Sequence, residues 1–172
     1  MPTFGWGTIR RFKNNVSDLK NFAARDYEDI LQCAIPCFKG LFSPKLDKLV
    51  LDLLFLFSCW HANTKLQVHT ESPLRVFEHL TWLLGSFMRK FKREVDGIDT
   101  HEILKEHDAR AQCDISNMKT SRTKNPKGKI STAKLKKKFN LSTYKYHAIG
   151  DYPEMIHAFG TTDSYSTQSV GM

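Results

Sequence analysis

Between Asp114 and Asp151 this 172-residue chain has no acidic residue at all. A long stretch of one sign repels itself and gains little from burial, so it is excluded from a packed core and is expected to be solvated without a partner. Long apolar runs are also missing. The most hydrophobic segment, Leu49 to Trp60, is shorter than the ~20 residues that span a bilayer and is broken by Asp52, which argues against a membrane helix. No charged-then-apolar leader with a small-residue cleavage site opens the chain, so the expected location is nuclear or cytoplasmic and not secreted. Cysteine is sparse: Cys33, Cys37, Cys59 and Cys113 sit in helical-looking sequence, and free thiols in a reducing compartment are expected. Nine glycines and six prolines are too few for a collagen-like or low-complexity chain.

What is present suits one folded domain with a tail. Apolar residues make up 41% and charged residues 26%, enough for a core at this length. Leu19, Phe22, Ala23, Asp26, Tyr27, Ile30, Leu31 and Ala34 recur at three- and four-residue steps, which predicts a helix from Ser17 to about Ile35, ended or kinked by Pro36. Ser43-Pro44 reads as a second start, with a capping hydroxyl, proline at the first helical position and Asp47 in the first turn. The helix it opens is apolar nearly all round: Leu46, Leu49, Val50, Leu53, Leu54, Phe57, Trp60 and His61 mark its main face, and Leu51, Phe55 and Leu56 the opposite side, so burial on several sides is expected. Ser72-Pro73 repeats the signal and opens a third helix to about Val95, with Gly97 as the stop.

A further charged helix is expected over Thr100 to Ala111. From Leu141 onward the chain is expected to be irregular apart from a short helix at Pro153 to Phe159. The fold class is therefore mainly α, a small helical domain followed by a basic, partly disordered tail. The divisions are an N-terminal arm (1–14), a helical domain (15–112), a basic flexible segment (113–145) and an irregular C-terminal tail (146–172).

The net charge of +8 and pI of about 9.4 favour anionic partners. The acid-free stretch concentrates that charge in Lys119, Arg122, Lys124, Lys127, Lys129, Lys134, Lys136, Lys137, Lys138 and Lys145. These are the candidate nucleic-acid contacts, because lysines and arginines spread along a chain neutralise phosphates and release counterions without reading sequence. Tyr144 and Tyr146 follow and could stack on unpaired bases. The cluster from Lys134 to Lys138 also fits a nuclear-import signal. Against these stands the plainer reading of a solvated linker.

Several segments resemble a known family. "FKNNVSDLKNFAARDYEDILQCAIPCFKGLF", "LLFLFSCWHANTKLQVHTE", "YKYHAIGDY" and "FGTTDSYSTQ" lie in the order in which similar strings occur in proteins encoded by fungal Plavaka-type DNA transposons. The resemblance implies descent from a large basidiomycete mobile-element protein whose transposase relatives use an RNase H-like, metal-dependent carboxylate site. The portion that would supply the carboxylate-bearing strands is expected upstream of residue 1. The family's Ser-Thr-Gln run continues into Gly-Glu-Leu-Glu-His-Arg, where this chain reads Ser169-Val170-Gly171-Met172. The resemblance thus implies a truncated C-terminal region.

No catalytic or metal set can be nominated from the residues, and no cofactor is expected. Transposase chemistry needs two or three carboxylates around a pair of divalent ions. Asp47 and Asp52 share a helix, but an acid at a helix start, as Asp47 is, needs no catalytic explanation. Cys33, Cys37, Cys59, His61 and His69 invite zinc, yet the Cys33-x3-Cys37 spacing with Pro36 between is no zinc knuckle, and buried free thiols are the expectation. His61 and His147 read as core or boundary histidines. The stripe Phe77, Trp82, Leu84, Phe87, Phe91 reads as core. The functional expectation is a transposon-derived fragment without independent catalysis that binds DNA or RNA non-specifically. The alternatives are a domesticated protein-interaction or regulatory module, which with its exposed apolar helix faces could bind a protein partner or itself, and an inactive gene fragment.

Overall fold

The computed structural model describes residues 16, 23–120 and 134–162, and it is mainly helical. In chain order the elements are α1 (Ala24–Phe38), α2 (Pro44–Thr64), α3 (Glu71–Val95), β1 (Thr100–His101), α4 (Leu104–Thr120), β2 (Lys136–Lys137) and α5 (Tyr144–Phe159). The N-terminal arm and the expected helix start at Ser17 lie outside the described residues. The chain divides into two compact units, Met1–Phe91 with Ser142–Met172, and Lys92–Leu141.

In the first unit α1 opens at Ala23, where alanine has no capping oxygen and Asp26 takes over. Its carboxylate accepts the Ala23 N–H at 2.8 Å, satisfying an amide that the first turn leaves free. The helix runs through Pro36 to Phe38, two residues past the proline, so of the expected end or kink the end is corrected. Pro36 falls in the last turn, where its missing N–H costs a single bond, and the Lys39 N–H still reaches the Ile35 carbonyl at 3.2 Å. Gly40, at φ 83°, then turns the chain toward α2.

α2 begins at Pro44 as expected, but the Ser43 hydroxyl makes no capping bond. Instead the Asp47 carboxylate accepts the Gly40 N–H at 2.8 Å, so this acid closes the turn between helices. Cys33 and Ala34 of α1 and Leu49 and Val50 of α2 are buried where the two helices pack. At the far end Glu28 pairs with Lys65 at 2.9 Å and lies 3.7 Å from His61. Burial lowers the His61 pKa despite that carboxylate. The opposite side of α2 is less covered than its composition suggests, for Phe55 is 60% exposed.

The core is built by α2, α3 and α5. Trp60, Leu74, Phe77, Leu84 and Ile156 are buried together, and Leu53, Leu56, Phe57, Met88, Ile149 and Tyr152 pack against them. The Trp60 ring meets Tyr152 edge-on at 5.0 Å and Phe77 at 5.7 Å, and its indole N–H donates to the Thr81 hydroxyl at 2.9 Å. Burying Phe77 completely is worth roughly 1.5–3 kcal/mol.

α5 corrects the expectation of a short helix from Pro153. It starts nine residues earlier, capped by Thr143, whose hydroxyl accepts the Tyr146 N–H, and ends at Gly160 with φ 85°. Pro153 lies inside it and is buried, so the interior proline is tolerated for its packing. Beyond the helix the Thr162 hydroxyl donates to the Thr64 carbonyl at 2.7 Å, occupying one of the free acceptors at the end of α2.

In the second unit Thr100–His101 form β1, which pairs antiparallel with β2, Thr100 opposite Lys137 and His101 opposite Lys136. The helix expected from Thr100 therefore starts later, at Leu104, and runs on to Thr120. Glu102 explains the delay, because its backbone and side chain are both committed to the neighbouring strand.

Candidate nucleic-acid interface

The basic segment is held at its downstream end by one buried carboxylate. Glu102 is 3% exposed. Its two oxygens accept Arg110 Nε at 3.1 Å and Nη2 at 3.0 Å in a forked pair, and Oε2 also accepts the Leu135 N–H at 3.0 Å. The Glu102 N–H donates back to the Leu135 carbonyl at 2.9 Å, and the Thr100 hydroxyl reaches the Lys137 carbonyl at 2.7 Å. Arg110 lies in the second turn of α4 and Glu102 directly follows β1, so the fork ties the helix to the end of the strand. These bonds, Arg110 first and Leu135 next, pull the Glu102 pKa down to about 2.

Around that clamp the lysines are displayed outward. Lys134, Lys136, Lys137 and Lys138 are all exposed. Lys136 pairs with Asp99, whose pKa is lowered by that contact, and Lys137 lies 3.7 Å from Glu106. Exposed pairs of this kind are worth at most about 1 kcal/mol and yield readily to a competing phosphate. Lys134 and Lys138 carry no such pair among the described residues. Lys145 is exposed on the first turn of α5, in the other unit. Lys119 closes α4, with its side chain outside the described residues, as are Arg122, Lys124, Lys127 and Lys129 entirely.

Other expected residues land differently. Tyr146 is not free for base stacking: its hydroxyl donates to the Gly85 carbonyl at 3.4 Å and accepts from Arg89 at 3.1 Å, whereas Tyr144 is 84% exposed. His147 is exposed, neither core nor boundary, whereas His61 is half-buried as a boundary histidine. Trp82 is 63% exposed, against the expectation of a core stripe, because it stands about 140° around α3 from Phe77 at ~3.6 residues per turn. Cys33 is buried, which raises its thiol pKa, but Cys37 and Cys113 are exposed. Among the described residues no three His, Cys, Asp or Glu side chains converge as a metal site, and no helix is long and apolar enough to cross a membrane. No sequence signal singles out the anchoring role of Glu102, since Glu106, Asp108 and Asp114 all lie between it and the acid-free stretch.

Trp82 lines a second feature of the first unit, a groove of about 410 Å³ between α3 and α5. Glu78, Thr81, Trp82, Gly85 and Arg89 supply one wall, and residues of α5 from Tyr146 to Glu154 the other. Searches for similar proteins identify no relative: no family model, curated protein or solved structure matches the chain.

Proposed function

We propose that the chain binds nucleic-acid backbones without sequence preference through its basic segment, Lys119 to Lys145, and carries out no chemistry of its own. We further propose descent from a Plavaka-type mobile-element protein, on the quoted segments, and entry into the nucleus through the Lys134–Lys138 cluster. The observation that carries the binding reading is the run of ten lysines and arginines without one acid between Asp114 and Asp151. Its described strand presents exposed lysines from a backbone that Glu102 anchors. Anchoring the backbone at Leu135 lowers the entropy lost when Lys134 to Lys138 engage phosphates, while the exposed pairs at Lys136 and Lys137 exchange Asp99 and Glu106 for phosphate oxygens.

The test is a salt series of binding to a generic DNA duplex. Each phosphate neutralised contributes a slope of roughly −0.9 in log affinity against log salt. Changing Arg122, Lys124, Lys134 and Lys138 to glutamine leaves the clamp intact and should flatten the slope by about 3 to 4 on that scale. If the wild-type chain fails to bind at low salt, or the variant binds with the same slope, the basic segment is not the interface. A protein-interaction role is the second reading, favoured by the exposed Phe38, Leu41 and Phe42 at the α1–α2 turn.

A further inference from the structure

The groove between α3 and α5 has a charge pattern that complements itself, and we infer that it is the interface of a two-fold symmetric dimer of this chain. This inference stands apart from the nucleic-acid reading, since it uses none of the basic segment.

Two contacts fix α5 antiparallel along α3: Tyr146 lies at Gly85 and Arg89, and His157 lies 3.8 Å from Glu71. Glu154 is therefore beside Glu78 at one end of the groove, while Arg89 stands at the other. Eleven residues of helix separate Glu78 from Arg89, about 16 Å along the axis. None of Glu78, Glu154 or Arg89 has an ion-pair partner among the described residues. Arg89 is nonetheless fixed, held across the groove by the Tyr146 hydroxyl, and Gly85 makes room for it: a Cβ there would stand 3.2 Å from the guanidinium.

Rotating a second copy by 180° about an axis through the groove's middle sets each Arg89 against the other copy's Glu78 and Glu154. An isologous interface demands such self-complementarity. Near that axis the exposed Trp82 is a knob, and the hollow beside it opens at Gly150, where an added Cβ would meet nothing within 4 Å. Tryptophan and arginine are the side chains most often found as interface anchors. A nucleic-acid strand fits this groove poorly, because two carboxylates guard one end. A small groove places the dimer at the low end of interface sizes, with a dissociation constant of roughly micromolar order.

Sedimentation of the full chain, freed of nucleic acid, tests this over a concentration series. Wild type should pass from monomer to dimer. Gly150→Leu adds a side chain where a Cβ meets nothing within 4 Å and replaces a helix-interior glycine, so the fold melts no lower than wild type while dimerisation weakens at least tenfold. The decisive arm mixes two variants, Glu78→Lys with Glu154→Lys in one chain and Arg89→Glu in the other. Each alone repels its own copy and stays monomeric; mixed, they form a heterodimer, because both charge contacts become attractive. A wild type monomeric at roughly a hundred micromolar, dimerisation untouched by Gly150→Leu, or variants that fail to pair when mixed would each overturn the proposal, the last two assigning the contact to another surface or partner.

Discussion

Trp60 and Glu102 are each a polar group buried at a cost that specific partners offset. The Trp60 N–H is held by the Thr81 hydroxyl, which itself donates to the Phe77 carbonyl at 2.8 Å. Thr81→Val keeps the shape and removes the acceptor, leaving a donor buried beside Phe77. Chemical denaturation should show a loss of about 1–3 kcal/mol. Glu102 gives a pH dependence whose sign follows from its lowered pKa. A carboxylate held at about 2 when folded, against an ordinary 4.5, stabilises its surroundings above pH 4.5, and that stabilisation is lost as pH falls through the folded value. Protection of the Leu135 and Glu102 amides, relative to their intrinsic exchange rates, should fall as pH drops between those limits, and in Glu102→Gln it should be low at every pH. At this scale some of the structure was legible and overlooked: helical geometry alone puts Trp82 far from the Phe77 and Leu84 face. The Glu102 fork was not legible, since its partners lie eight and 33 residues away.

Start signals built from adjacent residues were readable at the scale of elements, and features settled by distant packing were not. Ser43-Pro44 correctly opens α2, although Asp47 replaces the serine as the group that closes the turn. The mix of aromatics with Gly, Ser and Thr from Leu141 reads as irregular before Pro153, yet α5 forms from Tyr144 because Ile149, Tyr152 and Ile156 bury one face against the core. The strand at Thr100 is two residues long and depends on partners 35 and 37 residues on, which no local pattern discloses. Two glycines show how conformation decides a substitution's sign. Neither Gly40 nor Gly150 has an atom within 4 Å of an added Cβ. Gly40 has φ 83°, so Gly40→Ala should cost roughly 1–2 kcal/mol from backbone strain alone. Gly150 lies inside α5 without a positive φ, and Gly150→Ala should add up to about 1 kcal/mol, read as a higher melting temperature in the same denaturation assay.

Over the whole molecule, the first unit is completed by the end of the chain, as its core takes α2 and α3 from one stretch and α5 from another. Contacts so far apart in sequence are costly to close and must be repaid by burial. Tyr152 covers the edge of Trp60, Ile156 sits among Leu74, Phe77 and Leu84, and Thr162 binds the last turn of α2. A chain stopped after Leu141 would keep α2 and α3 but leave these apolar groups facing water, an exposed patch that favours aggregation. That truncation is expected to abolish the cooperative melting transition and to remove exchange protection from the α2 and α3 amides around Trp60 and Phe77. Adding a peptide of residues 142–172 should restore both in proportion to its concentration, since a segment that binds only the folded form stabilises it by mass action. If the truncated chain keeps its transition and protection, α5 merely rests on a core that stands without it. The groove would then have a removable wall, and dimerisation would disappear without loss of fold.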